Sequence, residues 1–263
     1  MKKMFFYFLL SIMSLPITAQ QMHQNTLKPE AYQLYPTLNE MYGFAIGVYN
    51  ETALIIGGRI RNDVPSSNQD DFPNTEIILI DYKKMRASAF TSGGLEGILG
   101  EQMAATGFGY YQIENTLYIT GGYGYSHSNG QFITFPYLTA VDLPGAIGAL
   151  LKGESPVDHF YQLCEERLAL FDTELDHNGD EFFLINGKQA YKTEPFEDNA
   201  RYEETGYYGQ ARTFRVLGEP SNMKVADFKE WNSPEALQEY YRDMLPSKVK
   251  KALIDWGAVP PVQ

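Results

Sequence analysis

Leu117-Tyr118-Ile119-Thr120-Gly121-Gly122 is an apolar, β-prone run closed by two glycines, and it has two echoes in the chain. Leu54-Ile55-Ile56-Gly57-Gly58 lies 64 residues upstream. Phe183-Leu184-Ile185-Asn186-Gly187 lies 65 residues downstream, with Asn in place of the first glycine. Turn residues stand just ahead of each run: Asn50-Glu51, Glu114-Asn115 and Asn178-Gly179-Asp180. Strand-like segments precede these turns at 44–49, 107–113 and 168–173, and others follow the glycines at 76–82, 137–143 and 211–217. Strand, turn, strand, diglycine, long connection and strand, three times over, is one supersecondary unit repeated. The glycine pairs read as backbone devices, because glycine accepts positive φ and lets a second strand approach closely.

This pattern resembles the kelch-type, galactose-oxidase-like β-propellers, whose blades carry a hydrophobic strand ending in Gly-Gly. An Asp often closes a later strand, as Asp81 and Asp142 do in this reading. The resemblance spans roughly residues 42–218 and implies an all-β fold of about three kelch-type blades, in a complete or an incomplete ring, with a short helical C-terminal tail. Kelch repeats usually run about 50 residues, and the extra length here falls in the segments after the diglycines.

At the start of the chain, Met1-Lys2-Lys3 is basic and residues 4–15 are almost continuously apolar, with Ala19 ahead of a cut at Gln20. That pattern predicts a secretory signal peptide over 1–19, too short in its core to span a bilayer, and a periplasmic or extracellular address. The chain of 263 residues carries a formal charge of −12, and losing Lys2 and Lys3 would take it to −14. Such acidity disfavours nucleic acid or anionic lipid as partner. No later stretch approaches a membrane span. The one cysteine, Cys164, has no internal disulfide partner, and its alternating surroundings Phe160-Tyr161-Gln162-Leu163 predict a buried thiol.

Residues 20–41 read as a polar tail or outer strand, 42–220 as the blades and 221–263 as the C-terminal tail. Ser92-Gly93-Gly94-Leu95 through Gly100 is glycine-spaced but lacks the Gly-Lys-Ser/Thr ending of a phosphate loop. Pro144 to Leu151 suggests a helical turn. Asp176-His177-Asn178-Gly179-Asp180 reads as a hairpin with Asn-Gly in a type I′ turn rather than a calcium loop, since the EF-hand Gly and Glu positions are unfilled. Val225-Ala226-Asp227-Phe228-Lys229-Glu230-Trp231 looks like the start of a further blade that is never completed. Ser233-Pro234-Glu235 caps a helix to about Met244, and Ser247 a second one to Trp256. Leu237, Tyr240, Tyr241 and Met244, then Val249, Leu253 and Trp256, fall at helical spacing and could cover one blade face.

Catalytic signals are sparse. The four histidines, His23, His127, His159 and His177, show no HxxxH spacing, and one Cys cannot anchor a Cys/His zinc site. No Gly-x-Ser-x-Gly elbow occurs. The resemblance also brings to mind the copper site of galactose oxidase, in which one Tyr is cross-linked to a Cys; Tyr161 lies near Cys164 in sequence only, and no cofactor or metal is expected. The segments after the diglycines carry the binding candidates: Arg59 and Arg61, then Tyr123, Tyr125 and His127, then Lys188 and Tyr191. Arginine forks and flat aromatics suit carboxylated sugars or peptides. Gly57, Gly58, Gly121, Gly122 and Gly187 are taken as structural.

The expectation is an exported, non-catalytic scaffold that binds a glycan or protein. The alternatives are a carbohydrate-active kelch enzyme, mutarotase- or oxidase-like, and a truncated propeller with little function. Closed propellers use 4–8 blades. Three leave open a truncation, a cryptic blade or completion by another chain, and bare faces and strand edges predict self-association.

Overall fold

A computed structural model describes residues 26–62, 71–91, 94–192, 202–206, 210–241 and 244–255. The expected leader and Trp256 lie outside them, as do the side chains of Tyr191 and Leu253. The described residues open with α1 (Pro29–Leu34), a 3-10 turn (Pro36–Asn39) and β1 (Met41–Tyr42). The first repeat holds β2 (Ala45–Tyr49), β3 (Thr52–Ile56), β4 (Arg59–Ile60), β5 (Phe72–Pro73), β6 (Glu76–Asp81) and β7 (Arg86–Thr91). After α2 (Gly97–Met103), the second holds β8 (Gly109–Ile113), β9 (Thr116–Thr120), β10 (Tyr123–Ser126), β11 (Gln131–Thr134) and β12 (Tyr137–Asp142). It closes with α3 (Leu143–Lys152) and β13 (Phe160–Cys164). The third holds β14 (Glu174–Asn178), β15 (Glu181–Ile185), β16 (Lys188–Lys192), β17 (Tyr202–Gly206), β18 (Ala211–Leu217) and β19 (Lys224–Trp231). Two helices follow, α4 (Pro234–Tyr241) and α5 (Ser247–Asp255).

Each repeat folds its main strands into a four-stranded antiparallel meander: β2-β3-β6-β7, β8-β9-β12-β13 and β14-β15-β18-β19. The three sheets stack face to face. Strand alternation divides each central strand between two interfaces. Leu54 and Ile56 of β3 join Leu117 and Ile119 of β9 in one core, while Ala53 and Ile55 pack beneath Ala31 and Leu38 of the N-terminal segment. Leu138 and Ala140 of β12 meet Phe182, Leu184 and Phe214 in the next core. On the outer face of the third sheet, Phe183, Ile185 and Ala211 lie under Leu237, Tyr241 and Val249 of the C-terminal helices and Leu245 between them. Burial on both faces explains why β3 and β15 are near-continuous apolar runs instead of alternating ones.

Several expectations are corrected by these contacts. Residues 224–231 do not start a further blade: β19 pairs along β18, from Leu217 opposite Lys224 to Ala211 opposite Trp231, and so completes the third sheet. The first strand of that sheet is β14, not residues 168–173, which form a buried connection. The N-terminal segment is a helix, neither tail nor strand, and it caps the first sheet. With α4 and α5 on the third sheet, both end faces are covered, so the bare face that motivated self-association is not there. The strand edges at β7, β13 and β19 have no strand partner on one side among the described residues. Ser233 does cap α4, its hydroxyl accepting from the Ala236 amide at 3.3 Å, yet Tyr240 and Met244 are exposed. Cys164 is exposed, because the last residue of an edge strand has no sheet beyond it. In the β14–β15 hairpin Asn178 pairs with Glu181, so Gly179 and Asp180 make the turn, with Gly179 at φ +66. The Asn-Gly pair therefore does not occupy the two turn positions.

Candidate functional site

The diglycines steer the chain out of the meanders. Gly57 and Gly58 take φ +67 and +93, Gly121 and Gly122 +68 and +90, and Asn186 and Gly187 +56 and +115. The Gly58 amide donates to the Ala105 carbonyl at 2.8 Å, and the Gly122 amide to the Leu170 carbonyl at 2.9 Å, so each diglycine docks on the segment leading into the next sheet. A second relay runs from the Asp172 amide to the Gly107 carbonyl, 2.8 Å, and from the Gly107 amide to the Gly43 carbonyl, 2.9 Å. Buried Gln102 locks the second diglycine. Its Nε2 donates to the Gly121 and Tyr137 carbonyls, and its Oε1 accepts from Thr139 Oγ1 and Gln162 Nε2, at 2.7 to 3.2 Å.

Where they are described, the segments after the diglycines, read from the sequence as long connections, form further short sheets. β1, β4 and β5 form one, and β10, β11, β16 and β17 another that ties the second repeat to the third. Between these additions and α2 opens a pocket of about 580 Å³. Arg59 and Pro73 contribute one wall, Leu95, Gly100 and Glu101 the next with Glu96 beside them, and Tyr123, Tyr125, His127 and Phe132 the third. Tyr123 stacks on Phe132 with centroids 5.8 Å apart, and Tyr125 meets Phe132 edge-on at 5.3 Å and His127 edge-on at 4.9 Å.

Polar groups hold these walls. Arg59 Nη2 donates to the Asp71 carbonyl at 2.5 Å, while its buried Nε has no hydrogen-bond partner among the described residues. The Asp71 carboxylate accepts from Tyr42 Oη at 2.6 Å and the Asn62 amide at 3.0 Å. Its pKa is held below the ordinary carboxylate value, first by the Tyr42 hydrogen bond and in smaller part by Arg59 and Arg61. Glu101 accepts from Ser126 Oγ at 2.8 Å and from the Ser128 amide and hydroxyl at 3.2 and 3.0 Å, which pins the β10–β11 turn to α2. Thr106, 8 % exposed, also lines the pocket, and its Oγ1 has no hydrogen-bond partner among the described residues.

Four of the seven candidate residues thus meet in one cavity: Arg59, Tyr123, Tyr125 and His127. Arg61 is exposed and sits over the Tyr42 ring, 5.7 Å from its centroid. Lys188 pairs with Asp172 at 3.7 Å and lies over Phe171, outside the lining. Tyr191 contributes its backbone to β16 opposite Ile133. Glu96, Glu101, Thr106 and Phe132 were not anticipated. The glycine-spaced connector, which lacks a phosphate loop's ending, supplies the α2 wall with Glu96 and Glu101.

The remaining titratable groups lie elsewhere. His177 is half-buried between Tyr111 and Phe182 in the third sheet, and His159 faces Asp142 at 3.3 Å beside α3. The pocket pairs flat apolar surface with a guanidinium, two carboxylates and a hydroxyl, a set that suits recognition of a small polyhydroxylated molecule. No helix among the described residues is long and apolar enough to cross a membrane. No protein-family model matches the sequence, and no curated protein matches it.

Proposed function

We propose that this chain is an exported, non-catalytic binding module, an arc of three kelch-like propeller blades whose ligand is a glycan held in the pocket between α2 and the post-diglycine strands. The observation that carries the reading is the convergence of Arg59, Tyr123, Tyr125 and His127, from two repeats, on one aromatic-walled cavity of about 580 Å³. That volume lies within the range of small-molecule sites. The propeller reading is supported by the wedge of equivalent meanders, whose first strands β2, β8 and β14 lie side by side, and by the recurrence of positive φ at Gly43, Gly107 and Asp172. Export is supported by the basic and then apolar start of the sequence.

A glycan array followed by titration calorimetry on the chain from Gln20 onward tests it, with Tyr125→Ala beside the wild type. An aromatic face contributes about 0.5–1.5 kcal/mol, so the variant should bind several-fold more weakly without loss of fold. Equal affinity in the variant would place the ligand elsewhere. Sugar mutarotation or oxidation that disappears in Tyr125→Ala would make the protein an enzyme.

A further inference from the structure

The charges around the pocket narrow the ligand further than its aromatic walls do. Building on the glycan reading, we infer that the pocket selects a saccharide carrying a protonated amine, a hexosamine unit, over neutral or carboxylated sugars. Three formally charged side chains line it: Arg59, Glu96 and Glu101. Arg59 is committed in part, with Nη2 on the Asp71 carbonyl and the Asp71 carboxylate close enough to feel its charge, while Nε has no partner among the described residues. Glu101 is held by neutral donors alone, the Ser126 and Ser128 hydroxyls and the Ser128 amide. An ionised carboxylate accepts at about four positions, so one direction stays open on Glu101. Glu96 is exposed and has no hydrogen bond or ion pair among the described residues.

Among the described side chains no cation stands against these two carboxylates, which line the same pocket as the rings of Tyr123, Tyr125 and Phe132. An ammonium group satisfies both features together, donating N–H to the carboxylates and resting its charge on a ring face. The sugar hydroxyls and C–H face use the same aromatics and Thr106. A carboxylated sugar would bring a third negative charge into the cavity of a chain that already carries −12. The carboxylated ligand suggested by the arginines in the sequence is thus disfavoured, because Arg61 lies outside the pocket and Arg59 is balanced by Asp71.

Calorimetry at low salt and about pH 6, where the sugar amine is protonated, compares four probes. These are a β-linked glucosamine disaccharide, its N,N′-diacetyl analogue, a glucuronate-containing disaccharide and trilysine. The glucosamine disaccharide should bind at least about ten-fold more tightly than the diacetyl form, and this preference should shrink as salt is added. Glu96→Gln, a change at an exposed side chain, should reduce the preference for the amino sugar over the diacetyl form several-fold. Equal or tighter binding of the diacetyl or glucuronate probe would overturn the amine selectivity and leave the glycan reading intact. Trilysine binding as tightly as the amino sugar would overturn the saccharide half. Binding of no saccharide would sink both readings.

Discussion

Replacing Gly121 by Ala tests the physical role of the repeated diglycine most directly. Gly121 sits at φ +68, where an L-residue pays roughly 1–2 kcal/mol. Its added Cβ would stand 1.8 Å from the Leu170 carbonyl oxygen, a backbone atom that cannot rotate away. Relieving that overlap pushes Leu170 off the Gly122 amide, now 2.9 Å away. Stranding that buried donor adds about 1–3 kcal/mol. The expected destabilisation is about 2–5 kcal/mol, a large part of the stability of a domain this size. Gly148→Ala is the matched control. It lies inside α3 with nothing within 4 Å of the new Cβ, so it should stabilise by about 0.5–1 kcal/mol. Urea unfolding followed by circular dichroism reads both. A Gly121→Ala midpoint indistinguishable from wild type, or a fall in Gly148→Ala to match it, would refute the docking argument.

Two further outcomes follow from the packing. Burial pushes the His177 imidazole pKa below its ordinary value, with Asp180 opposing weakly. The folded state then binds fewer protons than the unfolded chain, so stability is intact above the unfolded value of about 6.5 and declines as pH falls through it. Burial raises the pKa of Asp176, so its protonation at lower pH works the other way. His177→Phe, which keeps the contacts with Tyr111 and Phe182, should flatten the decline between pH 7 and the folded value; a variant that loses stability like wild type would exclude this origin. Because helices cover both end faces, light scattering should find the chain monomeric, whereas Leu237→Asp, which buries an unpaired charge, should release α4 and α5 from Phe183 and Ile185 and cause association. A stable wild-type oligomer, or a monomeric Leu237→Asp variant, would contradict the capping role.

The strands that end on the glycine pairs were legible because their information is local. Thr52–Ile56 and Thr116–Thr120 are β-prone runs, and a backbone that must turn at positive φ against a neighbouring carbonyl calls for glycine whatever surrounds it. Ser233, Pro234 and Gly179 announce themselves for the same reason. The six-residue α1 shows no periodicity to read, and it buries Ala31 alone; it is a helix because the outer face of the first sheet needs cover. Strand β19 resembled the start of another unit because a strand pattern carries no statement of its partner, and only its pairing with β18 assigns it to the third sheet. The pocket was half visible. Arg59, Tyr123, Tyr125 and His127 could be picked by type from their place after a diglycine, but the two-residue strands that position the first wall have no pattern long enough to detect. Glu96, Glu101 and Thr106 enter only because the Gly58–Ala105 hydrogen bond sets one repeat against the next. Local backbone demands are written residue by residue, whereas a cavity between repeats, and the balance of charge within it, exists only once distant segments have docked.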